Sequence, residues 1–176
     1  MGKAKRSSLA ALAAAAGLTA LVCVWLFLPA QDRPGAEPES EQATIQHVVD
    51  GDTVYVLLEG KRTKVRLLNV DAPEIPHPGK PGECFGEEAT RFLEQKLPEG
   101  SKIQLEFDVE RFDRYDRTLA SITYKGEFIN ETLVASGHAT AMKVNPNVKF
   151  YESLRSAQKK AERAKVGLFD PANGCS

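Results

Sequence analysis

Charge of one sign is missing from this chain. The 176 residues carry 23 Lys and Arg against 24 Asp and Glu, a formal net charge of -1. No bulk basic field exists to draw in a polyanion, so a nucleic-acid partner would have to be attracted by local arginines or a bound cation. Cysteine and histidine are equally scarce, with three of each. His47, His77 and His138 have no metal-ligand spacing, and a Cys/His zinc site is excluded. All three histidines read as structural or solvent-exposed. Internal repeats are also absent. The length and a hydrophobic content of 42% fit one domain with one core.

One long apolar run is present, at the start. Lys3, Lys5 and Arg6 precede the uncharged residues 9–29. That run exceeds the roughly 7–15 residues of a cleavable signal core and approaches the ~20 that span a bilayer. The basic flank places its own end in the cytoplasm and the rest of the chain outside. Leu28, two positions before Ala30, makes a poor cleavage context. An uncleaved anchor over residues 1–30 is the preferred reading, with a cleaved signal and a secreted product as the rival. A buried helix of a soluble domain would not explain the basic start and sharp polar boundary. Cys23 lacks the small residues before it and the polar stretch after it that a lipoprotein needs. Residues 31–42, QDRPGAEPESEQ, read as a flexible linker. A globular domain is expected over 43–170, then a short tail over 171–176.

Within that domain three β-rich runs, 44–49, 53–58 and 63–70, are separated by Asp50-Gly51 and Glu59-Gly60, where a turn can need positive φ. A three-stranded antiparallel meander is the economical reading. Residues 75–84, IPHPGKPGEC, form a loop. Residues 86–97 form a helix with Phe85, Ala89, Phe92, Leu93 and Leu97 at helical spacing, and Glu87 and Glu88 at its N-terminal end. Ile103, Leu105, Phe107 and Val109 alternate with polar residues as a half-buried strand, and 118–124 is another. Helices are expected over 129–136 and 149–165, the second burying Phe150, Leu154, Ala157 and Ala161, with Gly167 as its cap. The class is α+β. Five short strands with three helices are compatible with a five-stranded OB-type barrel, although order alone does not establish closure.

Chemistry concentrates in residues 65–74, VRLLNVDAPE. On a continuous strand Arg66, Leu68 and Val70 would share one face. Asp71 begins the exit and Pro73 cannot continue a central ladder, so Glu74 sits just past the strand end. Upstream, VVDGDTVYV supplies Asp50 and Asp52 at a tight bend. Downstream, RFDRYDRTLAS supplies Arg117. Acids that can hold a cation, with arginines that can hold phosphate, suggest metal-assisted phosphodiester chemistry. Each element also has a plainer explanation. Asp50-Gly51-Asp52 can be only a turn, Arg66 can pair with Asp71 or Glu74, and Arg117 can join a solvated cluster with Asp113 and Asp116.

VVDGDTVYV, VRLLNVDAPE, FGEEA and DRYDRTLA, in this order, resemble the staphylococcal-nuclease-like (thermonuclease) family over residues 43–169. The resemblance implies a five-stranded OB barrel with three helices, and Ca²⁺-dependent hydrolysis of DNA and RNA to 3′-phosphorylated products. It implies that Asp52 and Asp71 are Ca²⁺ ligands, with the backbone carbonyl of Ala72 as a further ligand and Asp50 as an outer acid. Hard oxygen donors suit that ion. Arg66 and Arg117 would each present paired N–H donors to phosphate. Glu74 would orient or deprotonate the attacking water.

Arg114 and Tyr115 match positions that contact the nucleotide in the family, although a loop Tyr often merely packs. A tyrosine pair that frames the nucleotide in the family has no counterpart here, where the region reads HATAMKVNPN. Lost stacking of ~1–3 kcal/mol per base would weaken nucleotide binding or alter base preference. Cys84 and Cys175 either form a disulfide tying the loop beside the site to the tail, or remain two free thiols. The expected protein is a monomeric, membrane-anchored or secreted nuclease. Its rivals are an inactive OB module that binds nucleic acid or protein, and an anchored structural domain without a nucleic-acid partner.

Overall fold

A computed structural model describes residues 40–175. The expected anchor and most of the linker lie outside the described residues. Among those described, no helix is long and apolar enough to cross a membrane.

Among the described residues eight strands and three α-helices follow one another: β1 (Ser40–Asp50), β2 (Thr53–Leu58), β3 (Lys61–Leu67), β4 (Val70–Asp71), α1 (Gly86–Lys96), β5 (Lys102–Glu106), β6 (Thr118–Tyr124), β7 (Glu127–Phe128), α2 (Ile129–Ala135), β8 (Thr140–Ala141) and α3 (Tyr151–Ala164). The main sheet runs β3-β2-β1-β5-β6-β7, and β3 also pairs with β6. That extra pairing closes β1, β2, β3, β5 and β6 into a five-stranded barrel. It is parallel, matching Val65 with Thr118, Arg66 with Leu119 and Leu67 with Ala120, whereas every other pairing is antiparallel. Alternation fills the barrel: Val54, Val56, Val65, Leu67, Leu105, Ala120 and Ile122 all point inward and are buried. Each Val, Leu or Ile side chain so removed from water contributes about 1.5–3 kcal/mol. Leu93 of α1, Leu133 of α2 and Leu154 of α3 complete the core.

Several boundaries differ from the sequence expectation, each for a local reason. The linker ends sooner than residue 42, because β1 begins at Ser40 and pairs there with β5. Glu41 is held to Arg111 at 2.6 Å. The run 63–70 is not one strand. Asn69 takes a left-handed φ of 57°, which ends β3 at Leu67 and starts β4 at Val70, so Leu68 and Val70 are buried while Arg66 faces outward. Strand β5 stops at Glu106, leaving Val109 71% exposed. Lys165, not Gly167, adopts the left-handed conformation that ends α3. Gly167 instead abuts the carbonyl of Gly137.

Two glycines hold the site end of the barrel together. A Cβ on Gly51 would lie 2.6 Å from Ala72 Cβ, so the Asp50–Asp52 bend packs directly on the exit from β4. A Cβ on Gly86 would overlap the carbonyl oxygen of Glu74, so the N-terminus of α1 abuts Glu74. The tail is tied in as well, because Cys84 and Cys175 are disulfide-bonded across 91 residues. A loop of that length restricts the unfolded chain strongly. Cys175→Ser in the full-length protein is expected to lower unfolding stability by about 2–5 kcal/mol in non-reducing urea titrations; an unchanged midpoint and slope would show that the crosslink contributes nothing.

Candidate functional site

The kink after β3 builds the first half of the site. With the strand broken at Asn69, two carbonyls turn toward the side chain of Arg66. Its Nη1 donates to Leu67 O at 2.9 Å and Val70 O at 2.7 Å. Its Nη2 lies 3.0 Å from Asp52 Oδ2 and 3.1 Å from Asp71 Oδ1. One guanidinium thus joins the bend between β1 and β2 to the exit of β4. The plain expectation that Arg66 pairs with Asp71 holds, and the pairing extends to Asp52. Glu74 is not a partner of Arg66.

Asp52 is the buried member of this group, 6% exposed. Its Oδ2 also accepts from the backbone N–H of Ala72 at 2.9 Å, and its Oδ1 accepts from Thr53 Oγ1 at 3.0 Å. Asp50 Oδ1 accepts the N–H of Asp52 at 3.1 Å. Burial pushes the Asp52 carboxyl up to about 7; Arg66 opposes this, Asp50 adds to it, and the Ala72 and Thr53 hydrogen bonds oppose it. A carboxyl so perturbed is one short of positive charge.

Whether these residues fit a metal follows from that charge balance. Among the described residues, no group of three His, Cys, Asp or Glu side chains is gathered closely enough to hold an ion. The donors at hand are Asp52, Asp71, which is half-exposed, and the main chain of Ala72. All are hard oxygens. Asp52 and Asp71 share the guanidinium of Arg66, and Asp50 adds a third carboxyl beside Asp52, so the acids outnumber the cation that touches them. Chemistry and charge therefore suit a divalent oxygen-loving cation with several waters.

The second half lies across the closure seam. The parallel pairing of β3 with β6 sets Arg66 beside Leu119, two residues after Arg117. A cavity of about 370 Å³ opens there, lined by Arg66, Arg114, Tyr115 and Arg117 on one side and Met142, Val144 and Asn145 on the other. Arg117 Nε is held by Asp113 Oδ2 at 2.7 Å. Asp113 Oδ1 accepts the N–H groups of Tyr115 at 2.8 Å and Arg117 at 3.0 Å, which folds the loop. Burial would raise the Asp113 carboxyl, but the Arg117 N–H, its guanidinium and the Tyr115 N–H outweigh it and hold it below the usual carboxylate range. Arg117 is thus fixed through Nε, with both Nη groups left for a ligand. Tyr115 is 63% exposed, with Arg114 Cζ 4.7 Å from its ring centroid. It is not a packing residue. Met142 and Val144 now form the wall where the family's tyrosines were expected, so that wall is apolar but not aromatic.

Glu74 belongs to neither network. Its N–H donates to Glu83 Oε2 at 3.2 Å, and its carbonyl accepts the N–H of Glu83 at 2.8 Å. His77 Nε2 lies 3.5 Å from Glu74 Oε2. Sequence reasoning missed both partners; the IPHPGKPGEC spacing, which returns the chain after nine residues beside a disulfide, was the available signal. His47 faces Glu99 at 4.0 Å. His138 stacks on Phe92 at 4.0 Å between ring centroids, and burial pushes its imidazole down against the opposing charge of Glu88.

Comparison with known proteins assigns this architecture. The closed barrel with its three helices defines an OB-type α+β protein, with a seam cavity beside an acidic bend. A family model described as staphylococcal nuclease homologue matches residues 64–170. The chain is 38% identical over 122 residues to a thermonuclease of Staphylococcus hyicus, covering 69% of this chain and 72% of the relative. It is 31% identical over 138 residues to a thermonuclease of Staphylococcus intermedius, covering 78% and 82% respectively. Endonuclease YncB of Bacillus subtilis is 34% identical over 142 residues, 75% of this chain and 67% of that one. The chain belongs to the staphylococcal nuclease family.

The Asp52 environment has a measurable consequence without any metal. The folded state holds a proton near pH 7 that the unfolded state releases near its ordinary value of 3.8. Stability from this group is therefore full below about pH 4 and is lost as pH rises toward 7. In urea unfolding of the full-length protein in chelator, the stability difference between wild type and Asp52→Asn should shift against the wild type as pH rises from 4 to 7. A wild-type curve that rises from pH 4 to 7 and is unaltered in the variant would contradict it.

Proposed function

We propose that this chain is a Ca²⁺-dependent nuclease, a phosphodiester hydrolase that cleaves DNA or RNA to 3′-phosphorylated products. It acts outside the cytoplasm, as a monomer anchored by its N-terminal segment or released after cleavage of that segment. Family membership supports the reaction class. The observation that carries the assignment is the seam: Arg66 and Arg117 line one cavity while Arg66 also touches the acids Asp52 and Asp71. A phosphate entering there meets two forked cations beside a negative cluster that itself calls for a cation.

Asp52, Asp71 and the carbonyl of Ala72 would hold Ca²⁺, with Asp50 as the outer acid. When bound, the ion supplies positive charge against a phosphate oxygen. Arg117, free at both Nη groups, binds and orients the phosphodiester in two directions at once. Arg66 lines the same cavity. Glu74 orients the attacking water and accepts its proton at a carboxylate oxygen, with Glu83 holding the Glu74 main chain and His77 beside its carboxylate. Tyr115 and Arg114 offer a stacking surface to the adjoining base.

Incubating the full-length protein in detergent with single-stranded DNA or RNA, with Ca²⁺ or with chelator, tests this. Cleavage is expected only with Ca²⁺, falling about 10²–10⁴-fold in Glu74→Gln and by orders of magnitude in Arg117→Ala. Cleavage that survives both changes would place the chemistry elsewhere. A folded wild type that binds nucleic acid without cleaving it would establish the binding module instead.

A further inference from the structure

The side chains of β3 that face away from the core are Arg62, Lys64 and Arg66. Their neighbours Val65 and Leu67 point into the barrel. Alternate residues on a strand are spaced by about 6.8 Å, so three cations stand in a row that ends at the cavity. Register places Tyr55 directly opposite Lys64, and Leu57 opposite Arg62, on the same outer face of β2. Leu57 is 39% exposed. The Arg62 guanidinium lies 3.8 Å from the centroid of the Tyr55 ring, and Lys64 Nζ 5.9 Å from it.

Most cations near the site are already engaged: Arg66 with Asp52 and Asp71, Arg117 with Asp113, and Lys80 with Glu83. Neither Arg62 nor Lys64 is paired with a carboxylate among the described residues. Glu59 lies in the turn that joins β2 to β3, and Glu99 approaches His47 on the far side of Tyr55. A guanidinium stacked on a ring keeps its N–H edges in plane and open to phosphate. The face therefore combines unneutralised charge at strand spacing with an aromatic ring and an exposed Leu. A structural salt-bridge lattice would pair those cations, and a docking face for a basic or neutral protein would not line them up.

We propose that the outer face of β2 and β3 is a second binding site, a track for single-stranded nucleic acid that continues from the scissile phosphate at Arg66. Arg62 and Lys64 contact successive phosphates, and Tyr55 with Leu57 receives an unstacked base. The occupant follows from charge complementarity and from continuity with the cavity. This rests on the nuclease reading for the position of the scissile phosphate. It also accounts for how a chain of net charge -1 would gather a polyanion, through a local row and not a bulk field.

The test is fluorescence anisotropy of the full-length protein in chelator, with a labelled 12-nucleotide oligodeoxynucleotide and a labelled dinucleotide, across a salt series. Arg62→Ala/Lys64→Ala should reduce the salt slope for the longer strand by about 1.4, at ~0.7 per phosphate contact. Its affinity for that strand should fall about tenfold or more, with the dinucleotide unaffected. Tyr55→Ala should cost the longer strand about tenfold. Lys159→Ala/Lys160→Ala, which removes the same charge from the exposed face of α3, should change neither probe. With Ca²⁺ present, the track variant should raise KM for long strands and leave kcat intact. Equal loss on both probes, an unchanged slope, or the same loss in the α3 control would overturn the proposal. Because binding is read without metal or turnover, a wild type that never cleaves defeats the nuclease reading and leaves the track to be judged by anisotropy.

Discussion

The guanidinium of Arg66 is the point on which the site depends. It is 11% exposed as a side chain and makes four contacts of 2.7–3.1 Å. Two go to carbonyls freed by the kink at Asn69, and two go to carboxylates from separate loops. Removing it would strand a buried Asp52 without its cation, which is costlier than losing a surface pair. The strand break, the acidic bend and the exit toward Glu74 are therefore parts of one structure. Closure of the barrel adds the rest, because the parallel β3–β6 seam can form only where β3 is still extended, just before the kink.

Around that point the protein is braced twice. Gly51 allows the bend to pack on Ala72, and Gly86 allows α1 to abut Glu74. The loop between Glu74 and Cys84 closes on itself through Glu83, and the disulfide fixes its far end to the tail. Asp113 plays the corresponding part on the other side, spending one oxygen on the loop and one on Arg117. The two arginines that line the cavity, Arg66 and Arg117, are thus each held by acids from neighbouring loops.

Much of this was legible in order and composition. Strand alternation and the helical faces led by Leu93 and Leu154 could be read from spacing, and the Asp and Arg positions from the motifs that resemble the family. What spacing could not give was the left-handed Asn69. A strand-forming run of VRLLNV carries no proline or glycine to mark a break, and the conformation is enforced by tertiary bonds from Asn69 Nδ2 to Met142 O and Asn147 O. The parallel seam is likewise a contact between segments some fifty residues apart. Asp113 looked like one more acid in a charged loop because its role lies in backbone acceptance, which sequence does not display. The pairing of Cys84 with Cys175 needed three-dimensional proximity that separation in sequence cannot supply.

The occupancy of Arg66 bears on how such a site would work. Among the described residues no other cation pairs with Asp52 or Asp71, so the guanidinium is shared between them and both Nη groups are committed. A divalent cation among the same acids would relieve that demand and raise the share of the guanidinium's field available to a phosphate. Cation and phosphate would then favour each other's binding, since each satisfies charge that the other leaves exposed. Arg117 has no such conflict, because Asp113 holds it only through Nε. The two arginines would therefore not be equivalent: Arg117 would be ready in the metal-free protein, and Arg66 would be released to a phosphate only as the acidic cluster is neutralised.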